Sequence, residues 1–321
     1  MEATVYFVIP CYNEEAVLPE TTRRMTDKLN AMRAAGLIGE KSRILYVDDG
    51  SKDRTWELVS QFNRENPWVE GVKLSHNRGH QHALLCGLMS AMPRCDAAIS
   101  MDADLQDDID ALDQFVTKFR EGCDVVYGVR NKRDTDTWFK RTTAEGFYKV
   151  MHLLGVDVVF NHADYRLMSR RALEGLAQFR EVNLFLRGIV PLIGYNAGYV
   201  AYERGERFAG ESKYPLKKML SFALEGITSL STKPIRYITL LGFLVFLVSI
   251  LMLVYSVVRW AHGDTVIGWA SVICSVWAIG GLILLSLGVI GEYIGKIYLE
   301  TKARPRFLIR EVLEERDEEA L

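Results

Sequence analysis

Short apolar runs that end in chemically distinctive polar residues recur along the first 130 positions. Thr4–Ile9 leads into Pro10-Cys11-Tyr12-Asn13-Glu14-Glu15, and Arg43–Val47 into Asp48-Asp49-Gly50-Ser51. Val69–Leu74 leads into Ser75-His76-Asn77-Arg78-Gly79-His80-Gln81-His82, and Ala97–Met101 into Asp102-Ala103-Asp104-Leu105-Gln106-Asp107-Asp108. Asp124–Val129 is a fifth such run. Helix-length segments separate them: one from an N-cap at Asn13 to Ala35, ended by Gly36, one from Arg54 to Asn66 capped by Asp53, then Ala83–Met92 and Ile109–Arg120. This alternation predicts an α/β fold, a mostly parallel sheet with helices on both faces. Ligands of such sheets collect outside the carboxyl ends of the strands, so the polar strand ends are expected to share one cleft. Residues 130–210 are less regular: a helix over Phe139–Leu154, a loop around Asn161–Arg166, and apolar pieces near Leu184–Ile193.

Further on the pattern changes. Ile238–Val258 and Val266–Gly291 contain no charged residue. Each is long enough, at roughly 1.5 Å per residue, to cross a hydrocarbon layer of about 30 Å. A buried hairpin is the alternative, but two such runs seven residues apart favour two transmembrane helices. Lys217, Lys218, Lys233 and Arg236 precede the first run, and Lys296, Lys302, Arg304, Arg306 and Arg310 follow the second. The positive-inside rule then puts both termini in the cytoplasm, as a multi-pass protein of the cytoplasmic membrane. Apolar positions 216, 219, 220, 223, 224, 227 and 230 form one stripe after Pro215, predicting an amphipathic helix lying at the membrane interface. The expected organisation is a catalytic domain over 1–210, the interfacial helix and linker over 211–237, a two-helix anchor over 238–296, and a cytoplasmic tail over 297–321. Its acidic end, Glu311–Leu321, is expected to be frayed.

Composition narrows the partners. The 321 residues hold 39 Lys and Arg against 41 Asp and Glu, a net charge of −2, so no global field draws nucleic acid. The start lacks a basic stretch before its apolar run and does not read as a signal peptide. Five cysteines with no paired spacing suit reduced thiols in a cytosolic compartment.

Asp102 and Asp104 share a face if the backbone stays extended, so both can reach one hard cation. Mg²⁺ and Mn²⁺ favour such carboxylates and are often shared with substrate phosphates. Alone, the pair also fits an acidic loop capping the next helix, with Asp107 and Asp108 at its start.

Taken in order, the strand-end motifs resemble family-2 glycosyltransferases of the GT-A fold, and more narrowly the polyisoprenyl-phosphate glycosyltransferases. The matching pieces are Ile9–Glu15, Val47–Asp53, Asn77–Leu84, Asp102–Asp107, Gly128-Val129-Arg130, Asp164-Tyr165-Arg166-Leu167 and Gly210-Glu211-Ser212-Lys213-Tyr214. The resemblance implies that Pro10, Tyr12 and Glu14 contact the nucleotide, that Asp48 and Asp49 contact base and ribose, and that Gln106 joins Asp102 and Asp104 around the metal. It also implies that Asp164 stands near the acceptor, sometimes regarded as a base.

The chemistry asks for a sugar leaving a nucleoside diphosphate, whose developing charge a cation stabilises. A lipid monophosphate is largely ionised at pH 7 and needs little help from a base, unlike a sugar hydroxyl. It does need cations, and Arg130, Arg166, Arg207 and Lys213 are the candidates, with Ser212 beside them. His80 and His82 have no metal-binding companions and suit a loop and cap role. The expected activity is sugar transfer to a polyprenyl phosphate with inversion, UDP-glucose being the favoured donor ahead of UDP-N-acetylglucosamine, a modified UDP-pentose or GDP-mannose. A homo-oligomer is compatible with the sequence. A processive polysaccharide synthase is disfavoured because Arg259-Trp260 has Ser256 where such enzymes carry Gln. A non-catalytic scaffold is disfavoured by the intact acidic pair.

Overall fold

The computed structural model of the chain describes residues 2–130, 162–203, 205, 227–228, 231–262 and 268–314. The catalytic part runs β1 (Val5–Cys11), α1 (Leu18–Ala34), β2 (Arg43–Asp48), α2 (Thr55–Glu65), β3 (Val69–Leu74), α3 (His80–Ala91), β4 (Ala97–Ser100), α4 (Leu112–Arg120) and β5 (Val125–Arg130). It continues with β6 (His162–Ser169), α5 (Arg170–Ala177), α6 (Leu186–Leu192) and β7 (Ala197–Tyr202). Two long helices, α7 (Lys233–Ala261) and α8 (Trp269–Lys302), precede a last strand, β8 (Ile309–Leu313).

Among the described residues, eight strands form one sheet in the order β7-β5-β6-β4-β1-β2-β3-β8. β4, β1, β2 and β3 are parallel neighbours, as are β5 and β7. All seven residues of β1 are buried, as expected for a central strand covered on both faces. Phe7 and Ile9 pack with Leu18, Met25, Trp56 and Phe115 of α1, α2 and α4. Tyr6 and Val8 pack with Leu84, Leu173 and Ile189 of α3, α5 and α6. Helix α3 comes unusually close to the sheet at Gly87, where a Cβ would lie 2.4 Å from Val8 Cγ1 and 2.6 Å from Val47 Cγ2.

The expected α/β sheet is present, and several elements differ from expectation. The loop expected at 161–166 is the start of β6, which runs antiparallel between β4 and β5 with Ser100 opposite Arg166. Its Asp and Arg hid a strand that is buried from Tyr165 to Ser169. β7 was missed although Gly198, Val200 and Tyr202 alternate with exposed neighbours. The acidic tail is not frayed at its start: β8 pairs antiparallel with β3, Gly71 opposite Leu313 and Lys73 opposite Glu311. Asn13 is not an N-cap. It takes φ 56, its Oδ1 accepts Lys52 N, and α1 begins five residues later. Asp108 does cap, accepting Asp110 N at 2.9 Å at the turn before α4.

The described residues fall into two compact units, one holding β1 to β7 and the chain from 304 onward, the other holding α7 and α8. Within the second, two stretches are long and apolar enough to cross a membrane, Lys233–Met252 and Ala278–Lys302. The helix expected over 139–154 lies outside the described residues, as does the 216–230 stripe except for Ile227 and Thr228, which are helical.

Candidate active site

The carboxyl ends of β1, β2 and β4 open on a cleft of about 420 Å³. Pro10 lines it from the last paired residues of β1, Tyr12 and Glu14 from just after that strand, Asp49 after β2, and Asp102 and Asp104 after β4. Gly79 and His80 bring the first turn of α3 to it, β6 contributes Asp164 and α6 contributes Arg187. Asp164 arrives because β6 is antiparallel, so its beginning lies beside the end of β4, where Ser100 Oγ donates to the Asp164 carbonyl.

The rim is tied together by hydrogen bonds. Asn13 N donates to Ser51 Oγ, Glu14 N to Thr55 Oγ1 and Glu15 N to Asp53 Oδ2. The acidic loop is held by Thr21 Oγ1, which donates to Ala103 O at 2.8 Å, and turns at Leu105 with φ 57, a conformation that few residues without a glycine's freedom adopt. Asp104 Oδ1 accepts Gln106 N at 3.2 Å.

Charge is concentrated around Asp164. Arg166 Nη2 lies 2.7 Å from Oδ1, Arg187 Nη2 3.1 Å from Oδ2, and His80 Nε2 3.6 Å from Oδ2. Burial favours a protonated Asp164, but His80, Arg187 and Arg166 outweigh it and hold the carboxyl well below the usual range. His80 Nε2 is also 3.7 Å from Asp102 Oδ1. Burial works against a charged His80, and the two carboxylates overcome it, raising its proton affinity. Asp102 moves the other way. Burial, aided by Asp107, Asp164 and Asp104 and opposed by His80, raises it to about 6.

The site residues expected from sequence divide into groups. Pro10, Tyr12, Glu14, Asp49, Asp102, Asp104 and Asp164 line the cleft. Asp48 does not: it is fully buried, its Oδ1 accepting Ser51 N within the turn it begins. Asp49 uses both oxygens on loop amides, Arg78 N at 2.7 Å and Gly79 N at 2.8 Å. Gln106 lines a neighbouring hollow with Asp107, Asp108 and Lys28 instead of the cleft. Arg166, expected to meet a phosphate, is 1% exposed and committed to Asp164 and the Leu186 carbonyl. Arg130 faces Asp107 at 3.7 Å and donates to Tyr202 Oη at 3.2 Å. Arg207, Ser212 and Lys213 lie outside the described residues.

Sequence reasoning missed Arg187 and underrated His80. His80 is the first residue of α3, aimed at both acidic groups, while its neighbour Gln81 accepts Leu186 N at 2.8 Å and fixes the start of α6. Arg187 had a signal, a lone cation inside the apolar Leu184–Ile193 run.

The donor set suits a hard divalent cation. Asp102 and Asp104 offer carboxylate oxygens to one cleft, where burial first and neighbouring carboxylates second raise Asp102, a cost that a bound cation would relieve. Among the described residues no group of three His, Cys, Asp or Glu side chains is gathered to hold an ion. An ion on this pair would keep positions for phosphate oxygens.

The profile of Glycosyl transferase family 2 matches residues 6–176. YkoT, an uncharacterized glycosyltransferase of Bacillus subtilis (strain 168), is 54% identical over 302 residues, covering 94% of this chain and 90% of its own length. The bactoprenol glucosyl transferase of Shigella phage SfX is 38% identical over 314 residues, covering 95% of this chain and 98% of its own. Among solved structures, the mannosyltransferase PcManGT from Pyrobaculum calidifontis, in complex with GDP-Man and Mn²⁺, matches with 16% identity and a TM-score of 0.46 over 94% of this chain and 86% of that one. The family match and the near-full-length relatives make this enzyme a glycosyltransferase. The chain belongs to glycosyl transferase family 2.

Proposed function

We propose that the enzyme transfers a sugar, with inversion, from a nucleoside diphosphate donor to a polyprenyl phosphate at the cytoplasmic face of the membrane, and that UDP-glucose is the donor. The observation that carries the acceptor class is the state of Asp164. Three cationic side chains surround it, so it is a poor proton acceptor. A sugar hydroxyl would need such a base, whereas a phosphate monoester reaches the cleft already ionised. The full-length likeness to proteins named bactoprenol glucosyl transferase supports the same reading, as do the two helices able to span a membrane.

In this scheme a phosphate oxygen attacks the anomeric carbon while the bond to the diphosphate breaks. Asp102 and Asp104 would hold Mg²⁺ or Mn²⁺, which when bound neutralises charge on the diphosphate. Pro10, Tyr12 and Glu14 form the nucleotide wall. Arg187, with 35% of its side chain exposed, presents charge to the two phosphate groups, and His80 lies between Asp102 and Asp164. Arg207, Ser212 and Lys213, ahead of the amphipathic stripe, are proposed to meet the acceptor phosphate at headgroup depth. The catalytic domain over 1–210 and both termini are assigned to the cytoplasm. Nucleotide release from UDP-glucose, followed with and without undecaprenyl phosphate, tests the reading: release should require the lipid, and lipid-independent hydrolysis at the same rate would contradict it.

A further inference from the structure

The chain beyond α8 returns to the nucleotide side of the sheet. Pro305 and Arg306 offer their carbonyls to one side chain: Arg78 Nη2 donates to Pro305 O at 2.6 Å and Nε donates to Arg306 O at 3.1 Å. Arg78 does not line the cleft but stands between two residues that do, Asn77 and Gly79. Its backbone N and that of Gly79 donate to the two oxygens of Asp49, which lines the cleft with Asn77, Gly79 and His80. The Arg78 side chain thus links the loop carrying these groups to the segment 305–313.

That segment has anchors of its own. β8 pairs with β3, Ser75 N donates to Leu308 O at 2.9 Å, Trp56 Nε1 donates to Glu311 Oε2 at 3.1 Å, and Arg306 Nη1 donates to Phe179 O at 2.8 Å. The loop, by comparison, is open to solvent and held by a few backbone contacts. Residues 75–78 are exposed, and Gly79 takes φ +89 with nothing within 4 Å of a Cβ. It also has no slack toward β2, because a Cβ on Gly50 would lie 2.7 Å from Asn77 N. Movement of residues 77–79 therefore displaces Asp49 and the start of α3 together.

We propose that Arg78 is a positioning residue for the nucleotide site and that Pro305–Leu313 is the brace against which it holds the Asn77–His80 loop. This rests on the reading of the cleft as a nucleotide-sugar site. The alternative is that Arg78 only fastens β8 to the domain. The two differ in what its loss does. A charged hydrogen bond at an exposed position contributes little to global folding when the strand keeps its other anchors, but an unbraced loop must be ordered each time nucleotide binds.

The test uses the full-length protein in detergent, with UDP and GDP each titrated in the presence of Mn²⁺ against wild type, Arg78→Ala and Arg78→Lys. Thermal midpoints and the KM and kcat for UDP-glucose are measured alongside. Arg78→Ala is expected to weaken nucleoside diphosphate binding about tenfold, equivalent to about 1.4 kcal/mol, and to raise KM with kcat nearly unchanged. The thermal midpoint should stay at the wild-type value, and Arg78→Lys should restore part of the affinity. Wild-type affinity in Arg78→Ala overturns the proposal, as does a parallel loss of thermal midpoint, kcat and affinity. A wild-type protein that binds neither UDP nor GDP overturns the nucleotide reading, and this proposal with it.

Discussion

Arg166 and Asp164 stand two residues apart on β6, share one face of the strand, and close an ion pair of 2.7 Å between Nη2 and Oδ1. The guanidinium is fully buried and its Nε has no hydrogen-bond partner, so Asp164 is its principal counter-charge. Asp164→Asn should therefore destabilise the folded enzyme by about 3 kcal/mol, the scale for stranding one member of a buried pair. The depressed carboxyl adds a pH signature. Its contribution to stability is present above the unfolded-state value of about 3.9 and is lost as pH falls toward the lower folded-state value. Urea unfolding from pH 7 to pH 3 should show an acid loss in wild type that is smaller in Asp164→Asn. Equal acid slopes would contradict this account of Asp164.

Removing the cation ligands should be severe. Asp104→Asn is expected to lower turnover by at least about a hundredfold, comparable to losing one preorganised electrostatic group. Excess chelator should abolish transfer, and Mg²⁺ or Mn²⁺ should restore it. Full activity in chelator would remove the carboxylate pair from the role given to it.

Arg187 differs from Arg166 in being partly open to the cleft. Arg187→Ala should leave folding nearly intact, since Arg166 still neutralises Asp164, and should reduce kcat/KM by at least about tenfold. Steady-state kinetics together with a thermal midpoint separates the two effects. An unaltered kcat/KM would make Arg187 a structural partner of Asp164 only.

How much of this was legible in the sequence depends on whether charge fell at a strand end or inside a strand. The apolar runs before Pro10, Asp48 and Asp102 announced β1, β2 and β4, and the residues after them marked the cleft. β6 was read as a loop because Asp164 and Arg166 interrupt its pattern, although each neutralises the other. β8 was hidden by Arg310 and Glu311, which an edge strand tolerates because one side meets solvent. The antiparallel insertion of β6 is a matter of topology, and it alone brings Asp164 to Asp102. His80 and Arg187 entered the site for the same reason: the sequence displays them singly, and packing makes them neighbours.

Packing of α3 on the sheet offers a test away from the chemistry. Gly87→Val would force side-chain atoms into Val8 and Val47, which lie within 2.4 and 2.6 Å of a Cβ at this position. An overpacked site of this kind costs about 1–3 kcal/mol, read as a lowered thermal midpoint. A midpoint equal to wild type would show that α3 can withdraw from the sheet without penalty.

The proposed orientation follows from the Lys and Arg residues flanking the two apolar runs. A cysteine introduced at Asp264 should react with an impermeant reagent in intact cells, and one at Thr4 should not. The reverse pattern would place the catalytic cleft outside and exclude a cytosolic nucleotide-sugar donor.

The central claim is that one sugar is transferred to a lipid monophosphate. Mass spectrometry of the lipid formed from UDP-glucose and undecaprenyl phosphate tests it most directly. The account predicts a single hexose joined through one phosphate, formed by wild type and absent with Asp104→Asn. A product carrying two phosphates or a chain of sugars, or free glucose with the lipid unchanged, would contradict it.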